Sequence, residues 1–129
     1  MIVIDSTLII DYLCGKADAK SLYGKISKED LIYTTIFNYQ EATFLPIQNN
    51  KDKDLAEVNA FFEKIKILYP TKNSVLATNR ISSYLKKIGK TVEIIDCLIA
   101  GITIKNNAKL LTLNKKHFQD MPNIVLYED

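Results

Sequence analysis

Three carboxylates in this sequence stand where a carboxylate is costly. Asp5 directly follows Ile2-Val3-Ile4, a β-branched run with no charged residue before it. Asp96 follows Ile94-Ile95 and precedes Cys97-Leu98-Ile99-Ala100-Gly101-Ile102, the most apolar stretch of the chain. Glu41 has Phe37, Phe44 and Leu45 at helical spacing, so its side of a helix is partly apolar. A carboxylate in such surroundings must be protonated, paired or bound to a cation. If the three converge on one pocket they repel one another unless a cation sits between them, and donors that are all oxygen suit Mg²⁺ or Mn²⁺ better than zinc. Taken singly, each has a plainer reading: Asp5 and Asp96 as helix caps or first-turn acids, Glu41 as a surface residue on a rotated helix.

Other chemistries find less support. The chain has one histidine, His117, no Gly-x-Ser-x-Gly elbow and only four glycines, which excludes a serine–histidine hydrolase and disfavours a nucleotide-cradling loop. Cys14 and Cys97 are far apart, with no second Cys or His at metal spacing, so they read as core thiols rather than zinc ligands or a disulfide. With 17 basic and 15 acidic residues the net charge is only +2, so any nucleic-acid site must be local. The clusters Lys51/Lys53, Lys86/Lys87/Lys90 and Lys115/Lys116 read as solvated helix faces.

The elements that must position these acids follow from periodicity. A length of 129 residues, 47% hydrophobic and 25% charged, predicts one folded domain over 1–129. The longest apolar runs, 1–4 and 98–104, are too short to cross a bilayer, and the reading is a cytoplasmic protein. Strands are predicted at 2–4, 31–35, 65–69, 109–113 and 124–127. Helices are predicted after Ser6-Thr7 up to Gly15, over 17–26, around Glu41 with an end blurred by Pro46, and over 51–64, 71–88 and 97–106. Strands alternating with helices imply an α/β sandwich around a mostly parallel sheet, in which a ligand site lies outside the carboxyl ends of the strands. Asp5 sits at such an end.

Taken together, Ile2-Val3-Ile4-Asp5 followed by Leu8-Ile9, Glu41 in a helix, Asp96-Cys97-Leu98-Ile99-Ala100, and Lys109-Leu110-Leu111-Thr112-Leu113-Asn114 with Phe118 resemble PIN domains of the VapC type. The similarity runs nearly end to end. It implies a three-layer α/β/α domain with a five-stranded, mostly parallel sheet, and Mg²⁺ or Mn²⁺ held at its carboxyl edge by Asp5, Glu41 and Asp96. The implied activity is endonucleolytic cleavage of RNA. Thr112 and Asn114 match a polar pair expected to support the acids or metal-bound water, and the Ser6-Thr7 turn either assists there or only caps. The resemblance also implies a homodimer held inactive by a small antitoxin, for which the segments 37–45 and 61–62 are candidate contacts, core packing being the other explanation of their aromatics.

One departure stands out. The family often carries a fourth acid just before the Phe that matches Phe118, and here the residue is His117. His117 either contacts phosphate or moves a proton, or simply faces solvent; Asp120 substitutes only if its loop bends back. The departure keeps alive a PIN-like module without catalysis that binds RNA or protein. A doubly wound phosphatase would place a second Asp two positions after Asp5, where Thr7 stands.

Overall fold

The run Ile2-Val3-Ile4 becomes strand β1 (Ile2–Ile4), and all three side chains are at most 1% exposed. Burial on both faces is what an uninterrupted apolar strand demands of a parallel sheet. The structure, a computed structural model, describes residues 1–29 and 31–128. After β1 come α1 (Ser6–Leu13), α2 (Ala17–Glu29), β2 (Ile32–Thr35), α3 (Ile36–Gln48), α4 (Asp52–Glu63), β3 (Lys66–Leu68), α5 (Lys72–Lys87), α6 (Ile94–Lys105), β4 (Lys109–Leu111) and the short α7 (Lys115–Phe118).

The strands pair in parallel in the order β3-β2-β1-β4. Successive residues of β1 point to opposite faces. Ile2 and Ile4 join Leu8, Ile9, Val58, Phe61 and Phe62 under α1, α2 and α4, whereas Val3 joins Ile81, Leu85, Cys97, Ile99 and Phe118 under α5, α6 and α7. The sheet is thus the middle of three layers. Phe61 and Phe62 are buried, ringed by Tyr12, Tyr23 and Tyr39, so they belong to the core and not to a contact surface; Phe44 and Leu45 on α3 are exposed.

Local signals set the helix ends. Gly15 stops α1 in a left-handed conformation (φ 81°) that other residues rarely adopt. Thr35 and Thr71 cap α3 and α5 through reciprocal boxes with Asn38 and Ser74. Pro46 lies within the last turn of α3 without ending it. Helix α6 begins at Ile94, ahead of the expected 97, and so takes Asp96 into its first turn.

The sheet has four strands, not five. The expected strand at 124–127 is reduced to a single bridge of Leu126 to Leu110, with Leu110 N–H donating to Val125 O and Tyr127 N–H to Leu110 O, each at 2.8 Å. Asn123, at φ 66°, turns the chain immediately before this stretch, and β4 itself ends at Leu111 because Thr112 leaves the ladder for Asp5.

Candidate active site

Chain order turns back beside β1: β2 and β3 lie on one side of it and β4 on the other. The crevice at such a reversal opens at the carboxyl ends of the two strands beside it. Those ends carry Asp5 and Thr112, tied by Asp5 N–H donating to Leu111 O at 2.9 Å and by Thr112 Oγ1 donating to Asp5 Oδ2 at 2.7 Å.

Asp5 also occupies the N-cap of α1, where its Oδ1 accepts from Ser6 N–H at 2.9 Å. The cap and the strand-end position therefore coincide in one side chain. Oδ1 accepts again from Asn38 Nδ2 at 2.7 Å, and Oδ2 from Thr7 Oγ1 at 3.2 Å. At 4% exposure, these donors take the place of water around the carboxylate.

Glu41 approaches from α3. Its outer side is open, but its carboxyl end rests on Ser6, whose Oγ donates to Oε1 at 3.0 Å. Partial burial pushes the Glu41 carboxyl above its usual range. The Ser6 hydrogen bond pulls it down, and the neighbouring charges of Asp5, Asp96 and Glu93 push it up again.

Asp96 enters from the first turn of α6, its side chain 14% exposed, with Oδ2 3.0 Å from His117 Nδ1. Burial raises its pKa too, His117 opposes the rise, and Asp5 and Glu93 add to it. Asp5, Glu41 and Asp96 thus feel one another's charge although they come from three separate elements.

The other expected residues fall around this centre. Ser6 and Thr112 bond directly to its carboxylates. Asn114 is exposed, and its link is a backbone N–H donating to Thr112 Oγ1 at 2.9 Å. Asp120 lines the same pocket as Asp96 and His117, with its carboxylate turned to Lys90 at 3.8 Å. Three participants carried little sequence signal. Thr7 read only as a cap or weak turn, yet it bonds Asp5 and accepts from Leu113 N–H at 3.1 Å. Glu93 read as the approach to Asp96, one helical turn ahead of it. Asn38 was silent apart from its place three residues after Thr35, the spacing of a capping box.

Among the described residues no three His, Cys, Asp or Glu side chains stand close enough to grip one ion by themselves. The all-oxygen set of mutually repelling carboxylates suits a hard divalent cation that keeps several waters, as Mg²⁺ does. Beside Glu41 an apolar groove between α1, α3 and α4 is lined by Ile10, Leu13, Leu45 and Val58. Among the described residues no helix is long and apolar enough to cross a membrane.

Residues 2–124 match the family model for the PIN domain. Ribonuclease VapC19 of Mycobacterium tuberculosis is 24% identical over 126 residues, 96% of this chain and 97% of the relative. Among solved structures, VapBC2 from Rickettsia felis bound to a promoter DNA fragment superposes with a TM-score of 0.89 at 19% identity, covering 98% of each chain. A toxin–antitoxin complex from Klebsiella pneumoniae gives a TM-score of 0.77 at 16% identity over the full length of both chains. At such identities the structural likeness speaks for the fold.

Proposed function

The chain belongs to the PIN-domain family, and on that premise we propose that it is a divalent-metal-dependent endoribonuclease, the toxin half of a toxin–antitoxin pair acting in the cytoplasm as a homodimer of single domains. The observation that supports this reading is that Ser6 Oγ lies 3.0 Å from Glu41 and 3.5 Å from Asp5, while Asp5 and Asp96 are within reach of each other's charge, at the carboxyl edge of the sheet where strand order reverses. The name of the ribonuclease relative and the toxin–antitoxin complex of the same fold support the substrate and the partner.

Asp5 and Asp96 would hold the ion, and Glu41 would hold it or one of its waters. A bound Mg²⁺ or Mn²⁺ would supply an acidified water for attack on the phosphodiester and positive charge for the phosphate oxygens. Ser6 and Thr112 keep the carboxylates in place by donating to Glu41 and Asp5, and Asn114 steadies the Thr112 hydroxyl. His117 orients Asp96 and stands where a phosphate oxygen of the RNA can meet its ring. The groove beside Glu41, with exposed Phe44 and Leu45 nearby, is the apolar surface offered to the antitoxin.

One observation favours a second reading, a PIN module that binds RNA or protein without cutting: the fourth acid is replaced by His117, which takes up Asp96 Oδ2. The two readings separate in one assay, incubation of a mixed RNA pool with the purified chain in Mg²⁺, in Mn²⁺ and in EDTA, alongside Asp96→Asn. Cleavage that needs the metal and falls at least a hundredfold in Asp96→Asn is expected. A folded wild-type chain that binds RNA but cuts none with either metal would overturn the nuclease in favour of the binding module.

A further inference from the structure

Asn38 is a polar side chain with no exposed surface, and both ends of its amide are committed. Its Oδ1 accepts from Thr35 Oγ1 at 2.7 Å and from Thr35 N–H at 3.2 Å. Two donors on the oxygen decide which way the amide faces, so the Nδ2 end must point away from Thr35. It points to Asp5 Oδ1, at 2.7 Å, across from α3 to the end of β1.

The two oxygens of Asp5 are therefore held differently. Oδ1 accepts from two nitrogen donors whose hydrogens cannot swing away, the Ser6 backbone and the Asn38 amide, the Ser6 hydroxyl lying farther off at 3.5 Å and nearer to Glu41. Oδ2 accepts from two hydroxyls, Thr7 and Thr112. A hydroxyl hydrogen turns about its C–O bond, and the Thr7 and Thr112 oxygens lie 3.5 Å apart, so either hydroxyl can turn from Asp5 to the other.

We propose that Asn38 is a positioning residue of the carboxylate centre: aimed by Thr35, its amide fixes Asp5 Oδ1 and leaves Oδ2, whose donors can turn, as the oxygen offered to the ion. The inference rests on the metal-dependent reading above. Holding one oxygen back makes Asp5 a one-oxygen ligand, which suits Mg²⁺ or Mn²⁺ with retained waters and disfavours Ca²⁺, whose larger shell takes carboxylates by both oxygens.

A merely structural Asn38 would serve only the cap of α3. The molecule itself contains the control, because α5 has the same box with serine in the place of asparagine: Thr71 N–H donates to Ser74 Oγ at 2.7 Å and Ser74 N–H to Thr71 Oγ1 at 3.1 Å. Asn38→Ser therefore keeps a working cap while its side chain is too short to reach Asp5.

The test is titration calorimetry of the purified chain with Mn²⁺, and separately with Ca²⁺, beside thermal melting of the same samples. Asn38→Ser is expected to bind Mn²⁺ about 10–100-fold more weakly, the usual effect of removing an outer-shell partner, and to discriminate less against Ca²⁺, while melting within a few degrees of wild type. Unchanged Mn²⁺ affinity in a folded Asn38→Ser overturns the inference and leaves Asn38 a cap. If Asn38→Ser does not fold, Asn38→Thr serves in its place, its hydroxyl also able to accept from Thr35 N–H and too short to reach Asp5; the same loss of Mn²⁺ affinity is expected, and none overturns the inference. A wild-type chain that takes up no Mn²⁺ overturns the metal-dependent reading itself, an outcome distinct from an unaffected variant.

Discussion

Glu41 and Asp96 are displaced in the same direction for the same reasons, partial burial and neighbouring negative charge. An acid whose pKa is higher folded than unfolded holds its proton more tightly in the folded chain. Stability therefore rises as pH falls through the folded pKa and is fully gained only below the unfolded one, about 4. The groups facing Asp96 are Asp5 from the end of β1, Glu41 from α3, Glu93 from its own helix and His117 from α7. Asp96→Asn in a His117→Gln background, with EDTA present, removes one of the repelling charges and should melt above its His117→Gln parent at neutral pH. The difference should shrink as pH falls toward 4. A difference that is constant, or that grows in acid, would contradict mutual repulsion. Asp5, Glu41 and Asp96 were legible in the sequence because a charge inside an apolar run or on an apolar helix side is conspicuous. Asn38 was not, because its meaning is a hydrogen bond to a residue on another element, and neither residue's neighbours in sequence announce it.

At the scale of elements, α6 must come close to α5 for Asp96 to reach the crevice, and Gly101 is where the two helices touch. A Cβ at position 101 would collide with Thr78 Oγ1 and lie 2.6 Å from the Ser74 carbonyl oxygen. Gly101→Ala should therefore destabilise the chain by about 1–3 kcal/mol, the range for overpacking, despite the better helix propensity of alanine. A melting temperature lower by several degrees is expected in calorimetry. Adding Thr78→Ala should restore only part of the loss, because the carbonyl contact is backbone; full recovery, or no loss at all, would mean that the helices can separate freely. Gly101 gave no such warning in the sequence, where it sits in an apolar helix without a turn around it. Helices α4 and α5 were read to within a residue at each end because 3.6-residue periodicity reports their buried side directly, whereas α2 runs three residues past the expected 26 and α6 starts three before the expected 97. The stretch at 124–127 misled for a physical reason: its apolar, β-branched composition suits a strand, but β4 is three residues long and gives it one residue to pair with.

The whole molecule carries 17 basic against 15 acidic residues, and at the carboxyl edge of the sheet Asp5, Glu41, Glu93 and Asp96 lie within reach of one another's charge. RNA approaching it meets little free positive charge. Lys115 is paired with Glu128 at 3.0 Å and Lys90 faces Asp120 at 3.8 Å, while Lys116 stands beside His117 along the crevice. Binding should consequently release few counterions. For single-stranded RNA the slope of log affinity against log salt is roughly −0.7 per phosphate neutralised, so engagement of about two to four phosphates gives a slope of roughly −1 to −3. The measurement is fluorescence anisotropy of labelled RNA on the Asp96→Asn chain between low and physiological salt, the substitution preventing turnover. Lys116→Ala should flatten the slope by about 0.7. A slope of about −5 or steeper, unchanged by Lys116→Ala, would place the RNA on a broad basic surface away from the carboxylates. A shallow slope that responds to Lys116 ties binding to the same edge of the sheet where the acids meet.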